Sequence, residues 1–274
     1  MLRALSTHVF LKQRLHPGLL DTLVRGGAQA IEIFAARQHF DYTSRQHVKE
    51  LADWFQSSDV KPHSLHAPIY ADADMGRGGM PAINVVHYDK SRRIDGMDEV
   101  KRALEVAEIL PYSFLVLHIG DRDATWDERT LEHALTAIEH LKAFGAPLGV
   151  KLLLENIQNE VTTAEHLAEI IRVGHFANVG VCFDIGHANL MDGVDPTLET
   201  LLPLIASTHL HDNQGDRDAH LWPGDGNIQW DAAMNALKSA PRSPAALLEI
   251  HYELGDTQEN VAKRAAATFE KFGI

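Results

Sequence analysis

The sequence predicts an α/β protein with one domain spanning residues 1–274, a (β/α)8 barrel. Three observations predict it. Short, nearly continuous apolar runs alternate with amphipathic helical segments, the pattern of a parallel sheet buried on both faces. Eight such strand–helix units can be counted, and no Gly/Pro-rich linker divides them. The length of 274 residues suits a single barrel of roughly 250 residues, so it does not force a second domain.

Leu5 to Phe10 reads as the first strand, followed by a helix over 17–26. Ala30 to Phe34 is the second and carries Glu32 inside it; a helix at about 43–57 follows. Lys61 to His66 is a weak third strand. Residues 67–96, with Pro68, Gly76, Gly78, Gly79 and Pro81, form a lid-like insertion, because irregular segments of that length inside a domain usually cover or bind something. A helix over 97–109 leads to strand four, Phe114 to Ile119. The next helix, 127–144, spaces Leu131, Leu135, Ile138 and Leu141 along one face. Strand five, Val150 to Leu154, ends at Glu155-Asn156. Thr163 is placed to cap a helix over 164–173, with Gly174 as its stop. Strand six is Val179 to Phe183, a short helix covers 197–202, and strand seven is Ile205 to Leu210. A helix over 231–238 ends near Pro241. Strand eight, Ala246 to Ile250, and a helix over 257–271 close the chain.

Bulk properties narrow the function. The net charge is −13, from 25 basic and 38 acidic residues. That disfavours a broad nucleic-acid surface but leaves room for a local cationic groove. The one cysteine, Cys182, forbids an internal disulfide, fits a reducing compartment, and sits mid-strand as a small apolar filler. No apolar run reaches the ~18 residues of a membrane span, and Met1-Leu2-Arg3-Ala4 does not open a signal peptide. The expectation is a soluble cytoplasmic protein without a membrane partner, free to form a homo-oligomer. No Gly-rich phosphate motif appears, so nucleotide cofactors are not expected. Seventeen histidines is a high number, and several need a reason.

The reason is suggested where strands end. His66, His118, Glu155, Asp184, His209 and Glu249 fall at the ends of strands three to eight, the catalytic face of such a barrel. Strand alternation puts Glu155 on one face with Leu153, and His209 with Ser207 and His211. Singly, each residue is satisfied by capping a helix or a backbone group. Jointly, buried acids repel and raise their own pKa values unless a cation compensates. Glu155, Asp184, His209 and Glu249 make an oxygen-rich set for Mn²⁺, Mg²⁺ or Co²⁺ that also suits Zn²⁺. His66, His118, His187, Asp218 and His220 would extend it to two or three ions, with zinc the natural choice.

At these residues the sequence resembles the xylose isomerase-like TIM barrel superfamily. That superfamily holds the sugar phosphate isomerases and epimerases and also the endonuclease IV (AP endonuclease family 2) nucleases. LLLEN at 152–156, VGVCFDIGHA from Val179 and LLEI at 247–250 carry the likeness, and HLHDN with DAHLWPGDGNIQW is most similar to the isomerase/epimerase branch. That branch implies one metal ion at Glu155, Asp184, His209 and Glu249. It also implies acid/base work by the two glutamates, with His187 on substrate oxygens. The reaction expected is isomerisation or epimerisation of a small sugar or polyol through proton transfer and a metal-stabilised enediolate. The nuclease branch implies up to three zinc ions on all nine donors and an abasic DNA substrate. Its pattern departs after the ligands: Ile119-Gly120-Asp121 follows His118, and Ile185-Gly186 follows Asp184. Candidate phosphate contacts for it are Arg37, Arg77, Lys90, Arg92, Arg93, Arg122 and Arg217, with Tyr70 and Phe40 as wedges. On the sugar reading, Arg217 binds a hydroxyl or phosphate, and Tyr70 and Trp222 cover the apolar face of the ring. Trp222 suits a core position equally well.

Overall fold

Strands that are apolar on both faces must be covered on both, and here they wrap around themselves. The computed structural model describes residues 1–251 and 256–274. Its parallel strands are β1 (Arg3–Ser6), β2 (Ala30–Phe34), β3 (Lys61–His66), β4 (Phe114–Leu117), β5 (Lys151–Glu155), β6 (Gly180–Asp184), β7 (Ile205–His209) and β8 (Ala246–Leu248). They pair in the order β7-β6-β5-β4-β3-β2-β1-β8. Between β7 and β8, Leu210 N donates to Leu247 O at 2.8 Å and Thr208 Oγ1 to Ala245 O at 2.8 Å, so the sheet is a nearly closed barrel.

Around it lie α1 (Pro17–Arg25), α2 (Arg45–Gln56), α3 (Lys90–Glu105), α4 (Glu128–Gly145) and α5 (Ala164–Val173). The chain continues with α6 (Ile185–Leu190), α7 (Val194–Leu201), α8 (Trp230–Lys238) and α9 (Gln258–Lys271). Side-chain caps start several of them: Ser44, Asp89, Asp127, Thr163 and Thr257 each accept a first-turn N–H. Thr163 does so at 3.3 Å to His166 N, as the sequence suggests.

The period of two sorts side chains between two spaces. Leu5, Ile31, Leu65, Leu115, Leu154, Val181, Phe183 and Leu248 join the main core shared with the helices. Ala4, Ala30 and Leu247, and separately Val116, Leu153 and Cys182, form small clusters of their own inside the barrel. Cys182 is therefore a filler, and burial pushes its thiol up, away from the reactive thiolate.

Among the boundaries that differ from the sequence expectation, four stand out. β1 stops at Ser6, because Thr7–Phe10 turns into a 3-10 helix. α3 begins at Lys90, capped by Asp89, rather than at 97; the irregular insertion is accordingly 67–89. Residues 90 to 96, KSRRIDG, carry no apolar stripe, so periodicity hides that turn. The short helix expected over 197–202 is α7, which starts three residues earlier after Gly193 with φ of 93°, and a further helix, α6, precedes it. Strand eight ends its ladder at Leu248, leaving Glu249 on the rim just beyond it.

Candidate metal centre at the barrel mouth

At the end of each strand from β3 onward, or one residue past it, stands a polar side chain, and these residues meet. Glu155 stands at the centre. Its Oε2 lies 3.1 Å from His118 Nε2 and 3.3 Å from His66 Nε2, and its Oε1 lies 3.0 Å from His209 Nδ1. His209 Nδ1 is also 3.4 Å from Glu249 Oε2 and 3.7 Å from Asp184 Oδ2. Nearer the opening, Asp218 Oδ2 lies 3.2 Å from both His187 Nε2 and His220 Nε2. Three donor groups result, each with its atoms within 4.8 Å of one another: Glu155, Asp184, His209 and Glu249; His66, His118 and Glu155; His187, His211, Asp218 and His220.

The histidines are set to present a bare nitrogen. Nδ1 of His66 faces Ala67 O at 2.8 Å, that of His187 faces Asn156 O at 3.0 Å, and that of His220 faces Glu249 O at 2.9 Å. A carbonyl accepts but cannot donate, so each ring donates from Nδ1, and in its neutral form the nitrogen left without a hydrogen is Nε2, on the side of the carboxylates. Asp184 is fixed from both sides. Its Oδ1 accepts from His187 N at 2.7 Å, and its Oδ2 faces His211 Nε2 at 3.0 Å.

The electrostatics are those of carboxylates and imidazoles buried side by side. Burial works against the carboxylate of Glu155, yet His209 and His118 outweigh it and hold its pKa well below the usual range. Asp184 and Asp218 are lowered against burial in the same way, each by the histidines beside it. Burial pushes Glu249 up to about 7. Burial opposes charge on His187 and His220 too, but the neighbouring carboxylates win and raise them to about 10 and about 9. His209 is raised well above the ordinary histidine value for the same reason. His187, His209, His220 and Glu249 thus hold protons more tightly than in water. Glu249 Oε1 is buried and has no hydrogen-bond partner among the described residues. An orphaned carboxylate oxygen beside imidazoles and further carboxylates fits a divalent ion.

Above the donors opens a cavity of about 520 Å³, lined by His118, His187 and Asp218, by Asp121, Arg122 and Asp123, and by the insertion through Pro68, Ile69, Tyr70 and Pro81 to Ile83. Tyr70 therefore stands on the cavity wall, with its ring packed against Gly76. Trp222 does not. It is 4% exposed within the main core, with the Arg264 guanidinium 5.0 Å from its ring centre. Phe40 is fully buried, so it is no wedge. Arg217 is exposed and lies outside the cavity lining. Among the other rim cations, Arg122 lines the cavity, whereas Arg37 is bound to Glu99 at 2.6 Å and Arg92 and Arg93 hold His87.

The structure adds two residues that the ligand sets above omit. His211 stacks on His220 with ring centres 3.9 Å apart and supports Asp184. Its place on the His209 face was the available signal. Glu32, a lone acid in the apolar run AIEIF, contacts the far side of His209 at 3.1 Å. Asp212, third in HLHD, works differently. It accepts from Gly224 N at 2.7 Å, Ile228 N at 3.2 Å and Trp230 Nε1 at 2.7 Å, and so fastens the loop that carries Asp218 and His220.

A nearly closed (β/α)8 barrel with carboxylates and imidazoles ringing the C-terminal ends of its strands defines the class. The chain belongs to the xylose isomerase-like TIM barrel family, which it matches over residues 20–272. Among its relatives, an uncharacterized protein of Methanocaldococcus jannaschii is 28% identical over 246 residues, 85% of this chain and 78% of the relative. The inosose isomerase of Halalkalibacterium halodurans is 26% identical over 91% of this chain and 88% of its own. The crystal structure of the IolI protein with a bound zinc atom superposes with a TM-score of 0.83 at 21% identity, covering 99% of this chain and 98% of that one. No helix among the described residues is long and apolar enough to cross a membrane.

Proposed function

We propose that this chain is a divalent-metal-dependent isomerase or epimerase of a small sugar or polyol. The observation that carries the reading is the convergence of Glu155, Asp184, His209 and Glu249 on one buried point beneath an open cavity. The inosose isomerase relative and the zinc-bound IolI neighbour support it. These four residues would hold the ion, which when bound supplies Lewis-acid polarisation of a substrate carbonyl.

The chain's own residues would do the rest. Glu155 and Glu249 form a carboxylate pair with unequal proton affinity, one held ionised and the other pushed up to about 7. Unequal partners suit a relay in which one removes the proton from the carbon beside the carbonyl and the other returns one. Glu249 Oε1, with no competing hydrogen bond among the described residues, is free to carry it. His187, on the cavity wall, would orient a substrate hydroxyl, and Tyr70 with the 67–89 insertion would cover the ring and exclude water. An assay of the metal-loaded protein on inososes and a panel of ketoses tests the reading. Interconversion with solvent deuterium entering the product supports it, and no turnover of any of them refutes it.

A second reading has its own observation. The two further donor groups, His66-His118-Glu155 and His187-His211-Asp218-His220, exceed the needs of one ion and suit a zinc-dependent abasic-site phosphodiesterase. Against it, Asp121, Asp123 and Asp218 line the cavity beside its one arginine, Arg122, a poor surface for phosphates. Metal content of the purified protein separates the two. One ion per chain favours the isomerase; three zincs, with cleavage of an abasic oligonucleotide, favour the nuclease.

A further inference from the structure

We propose that Glu32 is a positioning residue of the metal centre, holding the proton on Nε2 of His209 so that Nδ1 is bare toward the other donors. The inference rests on the reading above that His209 is a ligand, and it extends the centre to β2, which supplies no donor to it.

His209 stands apart from the other histidines of the site. Backbone carbonyls, which any sequence supplies, fix the far nitrogens of His66, His187 and His220. The far nitrogen of His209 meets a side chain instead: Glu32 Oε1 at 3.1 Å and Oε2 at 3.3 Å. Its near nitrogen lies 3.0 Å from Glu155 Oε1 and 3.4 Å from Glu249 Oε2. A neutral imidazole carries one N–H, and an ionised carboxylate can only accept it. Glu155 could accept from Nδ1 in the same way, so the choice falls to the ion: with a cation on the Nδ1 side the one hydrogen of the neutral ring must sit on Nε2, where Glu32 accepts it and makes the ring a better electron donor at Nδ1. Glu32 is itself held. Ser64 Oγ donates to its Oε2 at 2.7 Å, and the two residues are cross-strand partners in the β2–β3 register. Both are buried, Glu32 completely. Glu32 thus acts through His209 and does not reach the cavity.

The test is Co²⁺ affinity of the full chain stripped of metal, measured by chelator competition, with the visible spectrum of the bound Co²⁺ as a second readout. Wild-type chain that binds neither Co²⁺ nor Zn²⁺ sinks the ligand reading itself, and the inference with it. Given wild-type binding, Glu32→Gln is expected to lose about 10-fold and Glu32→Ala up to about 100-fold in affinity, with a shifted Co²⁺ spectrum. Glu32→Asp should recover part of the loss, and Ser64→Ala should lose several-fold. A Glu32→Gln chain that folds, binds Co²⁺ with wild-type affinity and keeps its spectrum overturns the proposal. If the Glu32 variants fail to fold, an unchanged affinity in Ser64→Ala overturns it instead.

Discussion

Glu155 shows how much one residue can be asked to do. Its two oxygens face His66, His118 and His209, so it belongs to two donor groups at once. Glu155→Gln keeps the shape and removes the charge those imidazoles share. Turnover of the proposed substrate should fall by about 10²- to 10⁴-fold, the usual scale for losing a proton-transfer group, while the far-ultraviolet dichroism stays that of the wild type. A variant that keeps wild-type rates refutes the assignment. The contrast is Trp222, whose ring is core and not pocket. Trp222→Ala should cost about 3–5 kcal/mol of stability, read from denaturant melts. Trp222→Phe should melt lower than wild type without raising KM. Sequence could show Glu155 because five other ligand-type residues end neighbouring strands at the same rim, although singly it could as well have capped a helix. Sequence could not place Trp222, since the ring is buried by distant parts of the chain, among them Arg264, forty-two residues further on in α9.

At the scale of elements, α6 carries a test in which two effects of opposite sign compete. Gly186 lies inside this helix, where replacing glycine by alanine ordinarily stabilises by about 1 kcal/mol. Here the new methyl would sit 2.0 Å from Cε1 of the buried His211 ring. Overpacking of that kind costs about 1–3 kcal/mol and cannot be relieved without moving the ring that supports Asp184. Gly186→Ala should therefore lower the melting temperature and weaken metal binding together; a stabilised variant with wild-type metal affinity would show that the ring moves freely. The loop after β7 depends on one side chain for several of its bonds. Asp212→Ala strands the buried donors Ile228 N and Trp230 Nε1 as well as Gly224 N, at about 1–3 kcal/mol for each left unpaired. The loss should show as lower stability and faster amide exchange across 218–230. Neither device was legible beforehand. Strands and long helices announce themselves by period, as β2, β3 and α5 do, each occupying the residues the pattern marks. The first turn of α3 and the whole of α6 do not, because one is polar throughout and the other is nucleated by Asp184, a residue whose apparent task was to bind metal.

For the whole molecule, the barrel was readable from eight apolar runs, and with it the rim where they end. What the runs do not encode is depth. Glu32 sits one layer below the mouth, against the back of His209, and only closure of the sheet brings β2 and β7 together across the interior. Closure also couples the entire fold to pH and to metal. His187 and His220, raised to about 10 and about 9, bind protons in the folded, metal-free chain that the unfolded chain releases near 6.5. The stability they contribute is complete below about pH 6.5 and is lost as pH rises through 9 to 10. Glu249, pushed up to about 7, adds to the same trend from about pH 4.5 upward, because the folded chain holds its proton longer. The metal-free protein should accordingly lose stability between pH 7 and 10. An ion held by Glu155, Asp184, His209 and Glu249 needs Glu249 and His209 deprotonated, and its charge disfavours protons on the nearby His187 and His220, so binding should expel protons and apparent affinity should rise with pH over the same interval. At a free ion concentration one hundred times Kd the bound form gains about 2.7 kcal/mol. Melting curves from pH 6 to 10, with chelator and with excess Zn²⁺ or Mn²⁺, should therefore diverge, falling in the first case and holding or rising in the second. Parallel curves would mean that the histidines and carboxylates at the mouth neutralise one another and hold no cation.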